Sequence, residues 1–207
     1  MTITDSSGNF YEIVKRYYNK DIQLSPAKIE LIAGAIFNRS PGCNLLVFGL
    51  GNDSPLWHNL NESGTTLFVE NSSEWIESTL QRYPYLKVIK NTYEGCTVRR
   101  SLRSPATAIR RAGKAPDELS ATPWDVIIID APGGNRPHHP GRAWPIAWTT
   151  HISSTATHIF VDDYNRELEQ SFSNFLLLSG RPNFAVLAPA GSKSHLLYSI
   201  GRSDAFD

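Results

Sequence analysis

Cysteine, long apolar runs and an excess of either charge are what this sequence lacks. Its two cysteines, Cys43 and Cys96, do not have the spacing of a metal or redox motif. Near the N-terminus no apolar stretch follows a basic segment, as one does in a signal peptide or a membrane anchor. We therefore predict a cytoplasmic protein with free thiols and no membrane partner.

The balance of charge narrows the class of partner. Twenty Lys and Arg residues are matched by twenty Asp and Glu residues. Proteins that bind nucleic acid generally need surplus positive charge to displace counterions from the phosphates. We accordingly expect a small-molecule substrate and no nucleic-acid partner.

The chain has the length and composition of one α/β domain. With 207 residues, 41% of them hydrophobic, it is long enough for one buried core and too short for two. Apolar residues at helical spacing predict a helix over 10–18, and Ser25-Pro26 is typical of the start of a second helix that ends near Phe37. We predict a single domain over 1–207 in which 1–40 forms a helical lid.

Seven apolar runs after these helices predict a mostly parallel β-sheet. Strands that alternate with helices are covered on both faces and therefore read as unbroken apolar runs. Eight residues separate the last two runs, too few for a crossover helix, so these two strands should form an antiparallel hairpin. The pattern predicts the α/β, Rossmann-like fold of class I S-adenosylmethionine (SAM)-dependent methyltransferases. The runs are 44–48, 65–69, 87–89, 126–129, 159–161, 184–187 and 196–200.

A glycine turn after the first strand predicts a nucleoside site. Gly49 and Gly51 lack a Cβ, so a ligand can lie against the backbone, and Glu70 follows Gly51 by nineteen residues. An acid at this spacing typically accepts hydrogen bonds from ribose hydroxyls. The third glycine of the dinucleotide motif is missing, which favours SAM over NAD because SAM has no pyrophosphate. An ordinary strand-to-helix turn is the alternative. The predicted cofactor-binding residues are Phe48, Gly49, Gly51, Asp53, Ser54, Glu70, Asn71 and Asp130.

Polar residues are dense in the loop that follows the fourth strand. Ligands of open parallel sheets bind beyond the carboxyl ends of the strands, so this loop should border the same crevice. We place Asp130 at the reaction face, and Asn135, Arg136 and Arg142 are suited to hold a carboxylate. The adjacent His138 and His139 have no third ligand at metal spacing, and no zinc site is predicted.

The loop after the fifth strand begins with Asp162-Asp163-Tyr164. Two acids at a strand end can bind a divalent cation or act as a general base, and a tyrosine ring can face a sulfonium. Capping of the following helix is the alternative role for one of the acids. Tyr11, on the first helix, is our candidate for a lid contact. The predicted catalytic residues are Tyr11, Asp130, Asn135, Asp163 and Tyr164, and no metal site is predicted.

An arginine-rich segment over 99–123 has two interpretations. It carries Arg99, Arg100, Arg103, Arg110, Arg111 and Lys114. Such a segment is usually a solvated insertion, and the alternative is a local site for an acidic partner.

Five motifs carry a family resemblance. They are 44–51 with Asp53, Ser54 and Trp57; Gly64-Thr65-Thr66 with Phe68 and Glu70; 124–127 with Asp130-Ala131-Pro132; Pro140-Gly141-Arg142; and Phe160-Val161 with Asp163 and Arg166. On these motifs the chain resembles the glucuronoxylan 4-O-methyltransferase family, the plant polysaccharide-biosynthesis domain, from about Ser25 to Phe184. The resemblance implies a SAM-binding Rossmann-like domain, with Gly49 and Gly51 beside the cofactor and Glu70 on its ribose.

The chain departs from this family where the second substrate would lie. The family usually has histidine, valine and aspartate at the positions of Asp162, Tyr164 and Asn165, and an aromatic pair then proline and glutamate over 135–138. With those groups replaced, deprotonation of a sugar hydroxyl is in doubt.

A second resemblance fits the altered residues. Small bacterial enzymes with this fold, the azetidine-2-carboxylate synthases, close a ring when the α-amine of SAM attacks its own γ-carbon and methylthioadenosine leaves. That chemistry requires a folded methionine tail and aromatic faces near the sulfonium, roles that suit Tyr11, Tyr164 and Asn135. We favour this cyclisation, with O-methylation of a saccharide or small-molecule hydroxyl as the alternative and a non-catalytic SAM-binding module as the third hypothesis.

Overall fold

The strands form one seven-stranded sheet in a computed structural model that describes residues 6–19, 21–39, 41–181 and 183–200. Strand order is β3-β2-β1-β4-β5-β7-β6. Strands β1 to β5 are parallel, and β7 runs antiparallel between β5 and β6. The predicted fold class, including the terminal antiparallel hairpin, is confirmed. The strands are β1 (Asn44–Phe48), β2 (Thr65–Glu70), β3 (Val88–Lys90), β4 (Trp124–Ile129), β5 (Ser153–Val161), β6 (Asn183–Leu187) and β7 (Leu196–Ile200).

Helices connect the parallel strands and cover both faces of the sheet. The last one widens into a π-helical turn, Ser173–Leu177, and a 3₁₀ turn, Leu178–Gly180. Among the described residues, no helix is long and apolar enough to cross a bilayer. The helices are α1 (Ser6–Tyr17), α2 (Pro26–Phe37), α3 (Ser54–Leu60), α4 (Ser73–Arg82), α5 (Val98–Arg103), α6 (Pro105–Ala112), α7 (Asp117–Ser120), α8 (Ala143–Ile152) and α9 (Glu167–Phe172).

Strand β5 begins six residues before the predicted run. Its first half is polar, so the apolar pattern reveals only its buried end. The side chain of Thr157 holds the early part in place, because its Oγ1 donates a hydrogen bond to the carbonyl oxygen of Trp124 at 2.8 Å. The register of β4 and β5 shifts between Trp124 and Val126.

Alternate residues of the central strands fill two cores, one on each face of the sheet. Leu46, Phe48 and Ile127 belong to the core beneath α6, α8 and α9. Leu45 and Val47 point the other way, into the core beneath α2 and α3. Each fully buried aliphatic or aromatic side chain contributes about 1.5 to 3 kcal/mol, so these alternating rows fix the register of the sheet.

The N-terminal segment contributes to the fold in two ways. Helix α2 is part of the second core, since Ile29, Ile32 and Ala33 are fully buried. The short connection between α1 and α2 lies instead over the carboxyl edge of the sheet, where residues 21–24 line a cavity. Within the described residues of the predicted lid over 1–40, it is this connection that reaches the cavity.

Candidate active site

The turn after β1 takes a conformation that requires glycine. Gly49 has φ +126°, a region that side chains with a Cβ rarely adopt. A Cβ at Gly49 would lie 3.1 Å from the Cβ of Ala131, the second residue of the loop after β4. The Gly49 N–H donates to the carbonyl oxygen of Val69 at 2.9 Å. The absence of a side chain therefore lets the loops after β1 and β4 approach each other.

The second half of this turn is held by its own side chains. The N–H of Gly51 donates to Oγ of Ser54 at 2.8 Å, and Ser54 is fully buried. A Cβ at Gly51 would lie 2.6 Å from Oδ1 of Asp53. Oδ2 of Asp53 accepts a hydrogen bond from Nε1 of Trp57 at 2.8 Å, and desolvation raises the pKa of Asp53. Ser54 thus organises the turn, while Asp53 lines the cavity beside it.

Glu70 ends β2 with its carboxylate held by backbone N–H groups. Oε1 accepts from Asn71 N at 2.7 Å and from Ser72 N at 2.9 Å, and Oε2 accepts from Leu50 N at 3.2 Å. Glu70 is 7% exposed and lines the same cavity as the glycine turn. A carboxylate offers about four acceptor positions, so these three bonds orient Glu70 and leave room to accept from a ligand hydroxyl.

The first cavity at the carboxyl edge of the sheet has a volume of about 220 Å³, and we call it the turn cavity. Five of the eight predicted cofactor-binding residues line it: Gly49, Gly51, Asp53, Glu70 and Asp130. Its lining consists of 21–24, Val47, Gly49, Leu50, Gly51, Asn52, Asp53, Glu70, Trp75, Ile128, Asp130 and Ala131.

Three predicted cofactor residues lie elsewhere. The ring of Phe48 is fully buried and packs against Trp148, because residues at this position of β1 face the core rather than the edge. The Oγ of Ser54 accepts the hydrogen bond from the Gly51 N–H and lies outside the cavity lining. Asn71 is outside the lining of the turn cavity and contributes its backbone N–H to Glu70.

Two parts of this wall were not predicted from the sequence. Trp75, in the first turn of α4, is 41% exposed, and its Nε1 donates to the carbonyl oxygen of Leu50. The segment 21–24 covers the cavity from the N-terminal side. The sequence does contain a pattern that points to Trp75. It is an aromatic residue five positions after Glu70, in the first turn of the next helix.

A second cavity of about 320 Å³ adjoins the first, and we call it the polar cavity. Gln23, Leu24 and Asp130 line both cavities. Leu24 contributes the one apolar side chain among the lining residues described. The lining consists of Gln23, Leu24, Asp130, Gly133, Gly134, Asn135, Arg142, Asp162, Asp163, Arg166 and Ser194.

Arg142 connects the loops after β4 and β5. Its Nη1 lies 2.6 Å from Oδ2 of Asp163, and its Nη2 lies 2.9 Å from Oδ1 of Asp130 and also donates to the Asp130 carbonyl. Burial lowers the pKa of Arg142, and the surrounding carboxylates, Asp130 first, more than reverse this effect. The guanidinium is therefore engaged by the protein's own acids, which corrects the expectation that it holds a substrate carboxylate.

Lys28 forms a second buried ion pair at the same edge. Its Nζ lies 2.5 Å from Oδ1 of Asp162 and donates to Oγ of Ser194 at 2.7 Å. Ser194 Oγ also donates to Oδ1 of Asp162 at 3.0 Å. This cluster joins helix α2, the end of β5 and the loop between β6 and β7.

Asp130 stands where the two cavities meet, and its environment disfavours the charged form. Desolvation raises its pKa well above the ordinary value; Arg142 opposes this, and the negative charges of Asp162, Asp53 and Asp163 add to it. Oδ1 pairs with Arg142, and among the described residues Oδ2 accepts no hydrogen bond. A carboxylate with a raised pKa and a free oxygen is suited to accept a proton.

Asp163 has the opposite electrostatic character. Burial raises its pKa, but the guanidinium of Arg142, the hydrogen bond from it and Arg166 lower the pKa below the ordinary value. Asp163 also has φ +56°, a conformation uncommon outside glycine. Its position is held by Arg142 and by Nη1 of Arg166 at 2.9 Å.

Asp130, Asp162 and Asp163 each place one carboxylate oxygen within 4.8 Å of the others. Such a group has the donor chemistry of a divalent cation site. Here, however, each of the three carboxylates already pairs with Lys28 or Arg142, so the donor set gives no reason to assign a metal.

The predicted catalytic residues do not all come together. Asp130, Asn135 and Asp163 line the polar cavity. Tyr164 is 7% exposed within the core, and its hydroxyl donates to Oδ1 of Asn174 at 2.6 Å, so its ring is outside both linings. Tyr11 is 63% exposed on α1 and is likewise outside both linings, so its lid contact stays a prediction.

Comparison with solved structures identifies the fold. Human Methyltransferase-like protein 13 in complex with SAH aligns with a TM-score of 0.55 at 18% identity, covering 86% of this chain and 82% of that one. A putative caffeoyl-CoA O-methyltransferase from Staphylococcus aureus aligns with a TM-score of 0.58 at 12% identity, covering 96% and 93%. The fold is that of the class I SAM-dependent methyltransferases.

Sequence comparison finds relatives in plants. Arabinogalactan O-methyltransferase 2 of Arabidopsis thaliana is 35% identical over 181 residues, covering 75% of this chain and 61% of the relative. Glucuronoxylan 4-O-methyltransferase 1 of the same plant is 32% identical over 170 residues, covering 72% and 60%. The chain thus spans about three-fifths of the length of these relatives. The model of the IRX15/IRX15L/GXM family matches residues 27–104 and 107–182, and the chain belongs to this family.

Proposed function

We propose that the protein is a SAM-dependent O-methyltransferase that acts on a hydroxyl group of a saccharide. The observation that carries the proposal is the pair of adjoining cavities that share Asp130. Two cavities suit two substrates, a methyl donor and an acceptor. The plant relatives, named as arabinogalactan and glucuronoxylan methyltransferases, support the same reaction class.

The turn cavity has the features that a nucleoside requires. Gly49 brings two loops together without a side chain between them, and Glu70 presents an oriented carboxylate to a ribose. Trp75 adds an exposed aromatic ring at the same wall. We assign the adenosine of SAM to this cavity.

The polar cavity suits a hydroxyl-rich acceptor better than an aromatic one. Sites for aromatic ligands are mostly apolar, whereas this lining combines carboxylates, guanidinium groups, an amide and a hydroxyl. A saccharide satisfies such groups through several hydrogen bonds. Cyclisation of SAM needs no acceptor, so it provides no second substrate for this cavity.

The reaction follows from the place of Asp130. SAM, when bound, supplies a methyl group on a positively charged sulfur. The acceptor oxygen forms a bond to the methyl carbon while the carbon–sulfur bond breaks, and the electron pair stays with sulfur in S-adenosylhomocysteine. Asp130 takes the hydroxyl proton through its free Oδ2, and Arg142 keeps the carboxylate in position.

An incubation of the pure protein tests this assignment. With SAM and fragments of glucuronoxylan or arabinogalactan, we expect S-adenosylhomocysteine and a methylated saccharide, and we expect neither without the saccharide. Asp130→Asn should slow the transfer by about 10²- to 10⁴-fold while binding of S-adenosylhomocysteine persists. Tight cofactor binding with no turnover on any hydroxyl acceptor would instead identify a non-catalytic module and overturn the proposal.

Cyclisation to azetidine-2-carboxylate is the second candidate, and the same incubation distinguishes it. Its support is the replacement of family residues at Asp162, Tyr164 and Asn165. The burial of Tyr164 in the core removes one of the aromatic faces expected near the sulfonium. Release of methylthioadenosine from SAM alone would favour cyclisation over methyl transfer.

A further inference from the structure

A groove of about 540 Å³ lies on the arginine-rich face of the molecule, outside both cavities, and we call it the arginine groove. Helix α5 contributes Arg99, Arg100 and Arg103, all of them exposed. His138 and Pro137 form the opposite wall. No acidic residue is among its six lining residues, of which Thr97 is the sixth.

These arginines differ from the others near the site, because no acidic residue in the described part of the chain pairs with them. Arg142 and Arg166 both pair with Asp163. For Arg99, Arg100 and Arg103, the described part of the chain supplies no carboxylate within ion-pair distance, and Arg100 donates one long hydrogen bond to the Gly95 carbonyl at 3.5 Å. Three exposed arginine side chains that line one groove, without a carboxylate partner among the described residues, favour an external anion.

The arginine groove and the polar cavity are built on the same loop. The N–H of Val98 donates to the His139 carbonyl at 2.8 Å, and the N–H of Arg99 donates to the Pro137 carbonyl at 2.9 Å. These bonds fix the start of α5 against the loop after β4. The groove is therefore part of the same loop structure that forms a wall of the polar cavity, and not a separate insertion.

The two sites are close along the chain. Asn135 lines the polar cavity and Pro137 lines the groove, so their backbones are at most about 7 Å apart. A ligand of two or three sugar units is long enough to reach from one site to the other. Because the chain has no net charge, its overall field does not attract anions, and attraction to the groove depends on its local charges.

We propose that the arginine groove is an accessory subsite that binds an anionic substituent of the saccharide acceptor, carried on a sugar unit other than the one that is methylated. The acceptor role rests on the proposed function, whereas binding of the anion does not. Guanidinium groups pair with carboxylates and phosphates alike, so the shared chemistry is an oxyanion attached to a sugar chain.

The experiment compares a groove variant with a charge-matched control. Arg99→Gln/Arg103→Gln removes two charges from the groove. Arg110→Gln/Arg111→Gln removes two charges from exposed positions on α6, outside the groove lining. Calorimetric binding is measured in the absence of SAM for a galacturonate trimer, for a neutral xylose trimer and for a phosphorylated disaccharide, each at low and at moderate salt.

For the groove variant we expect about three- to tenfold weaker binding of the anionic saccharide and unchanged binding of the neutral one. Affinity of the unmodified protein for the anionic saccharide should fall as salt rises. Preference for the galacturonate trimer identifies a carboxylate as the group recognised, and preference for the phosphorylated sugar identifies a phosphate. Equal losses in the groove variant and the control, or no preference for either anionic ligand over xylose, would overturn the subsite.

Kinetics separate this proposal from the proposed function. If methyl transfer occurs, the groove variant should raise KM for an anionic acceptor while kcat stays unchanged, because the groove does not touch the reacting atoms. If no acceptor is methylated but anion binding still depends on Arg99 and Arg103, the proposed function fails and the subsite stands.

Discussion

Nζ of Lys28 lies 2.5 Å from Oδ1 of Asp162, a buried ion pair between residues 134 positions apart. Lys28 comes from α2 and Asp162 from the end of β5, so the pair fastens the N-terminal helix to the edge that carries the site. Side-chain exposures of 2% and 10% leave little water to replace a lost partner.

Removal of Lys28 should therefore destabilise the fold strongly. We expect Lys28→Met to lower the free energy of unfolding by about 3 to 5 kcal/mol, because Asp162 would keep a buried charge without its partner. Urea unfolding followed by circular dichroism measures the change. Lys28→Met/Asp162→Leu should recover much of the loss, and Lys114→Met, at an exposed site, should stay within about 0.5 kcal/mol. A single variant as stable as the unmodified protein would show that the pair is not a structural link.

Glu70 tests the assignment of the turn cavity to a nucleoside. In Glu70→Gln an amide nitrogen replaces an oxygen that accepts backbone N–H groups and is free to accept from a ribose. We expect the Kd for SAM to rise about 10- to 100-fold, from the loss of charge-assisted hydrogen bonds. Calorimetry measures the Kd for SAM in this variant and in the control Glu74→Gln, which changes an exposed residue outside the cavity lining. Equal affinities for the two variants would remove Glu70 from the ribose role.

Local patterns predicted the sheet better than the site. Apolar runs such as 126–129 are visible because both faces of a parallel strand are buried, whereas the polar start of β5 at Ser153 carries no such pattern. Gly49 and Glu70 line one cavity, as the sequence predicted, because their placement depends on local backbone geometry. Lys28 was missed, because its partner lies in a distant part of the sequence.

The side chain of Tyr164 points away from the site that its two preceding neighbours line. It directly follows two acids at the site, but its N–H donates to the His195 carbonyl at 3.0 Å and its ring joins the core that contains Phe172. Sequence adjacency gives the position of the loop, while the direction of each side chain depends on the hairpin packed against it.

Asp130 leads to a prediction about pH. A general base must be deprotonated, so transfer slows as pH falls through the pKa of the group. Because desolvation raises the pKa of Asp130 above 3.8, the acid limb of the kcat profile should lie above the range of an ordinary aspartate. We expect Asp130→Asn to lower kcat by about 10²- to 10⁴-fold and to abolish that limb. An unchanged limb in the residual activity of the variant would assign the titration to another group.

Trp75 gives the last prediction. Its exposed indole lines the turn cavity, and its Nε1 donates to the carbonyl oxygen of Leu50 in the glycine turn. Trp75→Ala should weaken SAM binding about tenfold, since an aromatic contact and one hydrogen bond together contribute roughly 1 to 2 kcal/mol. Trp75→Phe, which keeps a ring, should restore part of the affinity.

The control for Trp75 is Tyr85→Ala, which removes an aromatic ring that is 46% exposed and lies outside the cavity lining. Because Trp75 reports directly on the cavity, SAM should also change the tryptophan fluorescence of the unmodified protein by an amount that Trp75→Phe abolishes. If Trp75→Ala and Tyr85→Ala bind SAM equally well, the nucleoside does not contact the indole.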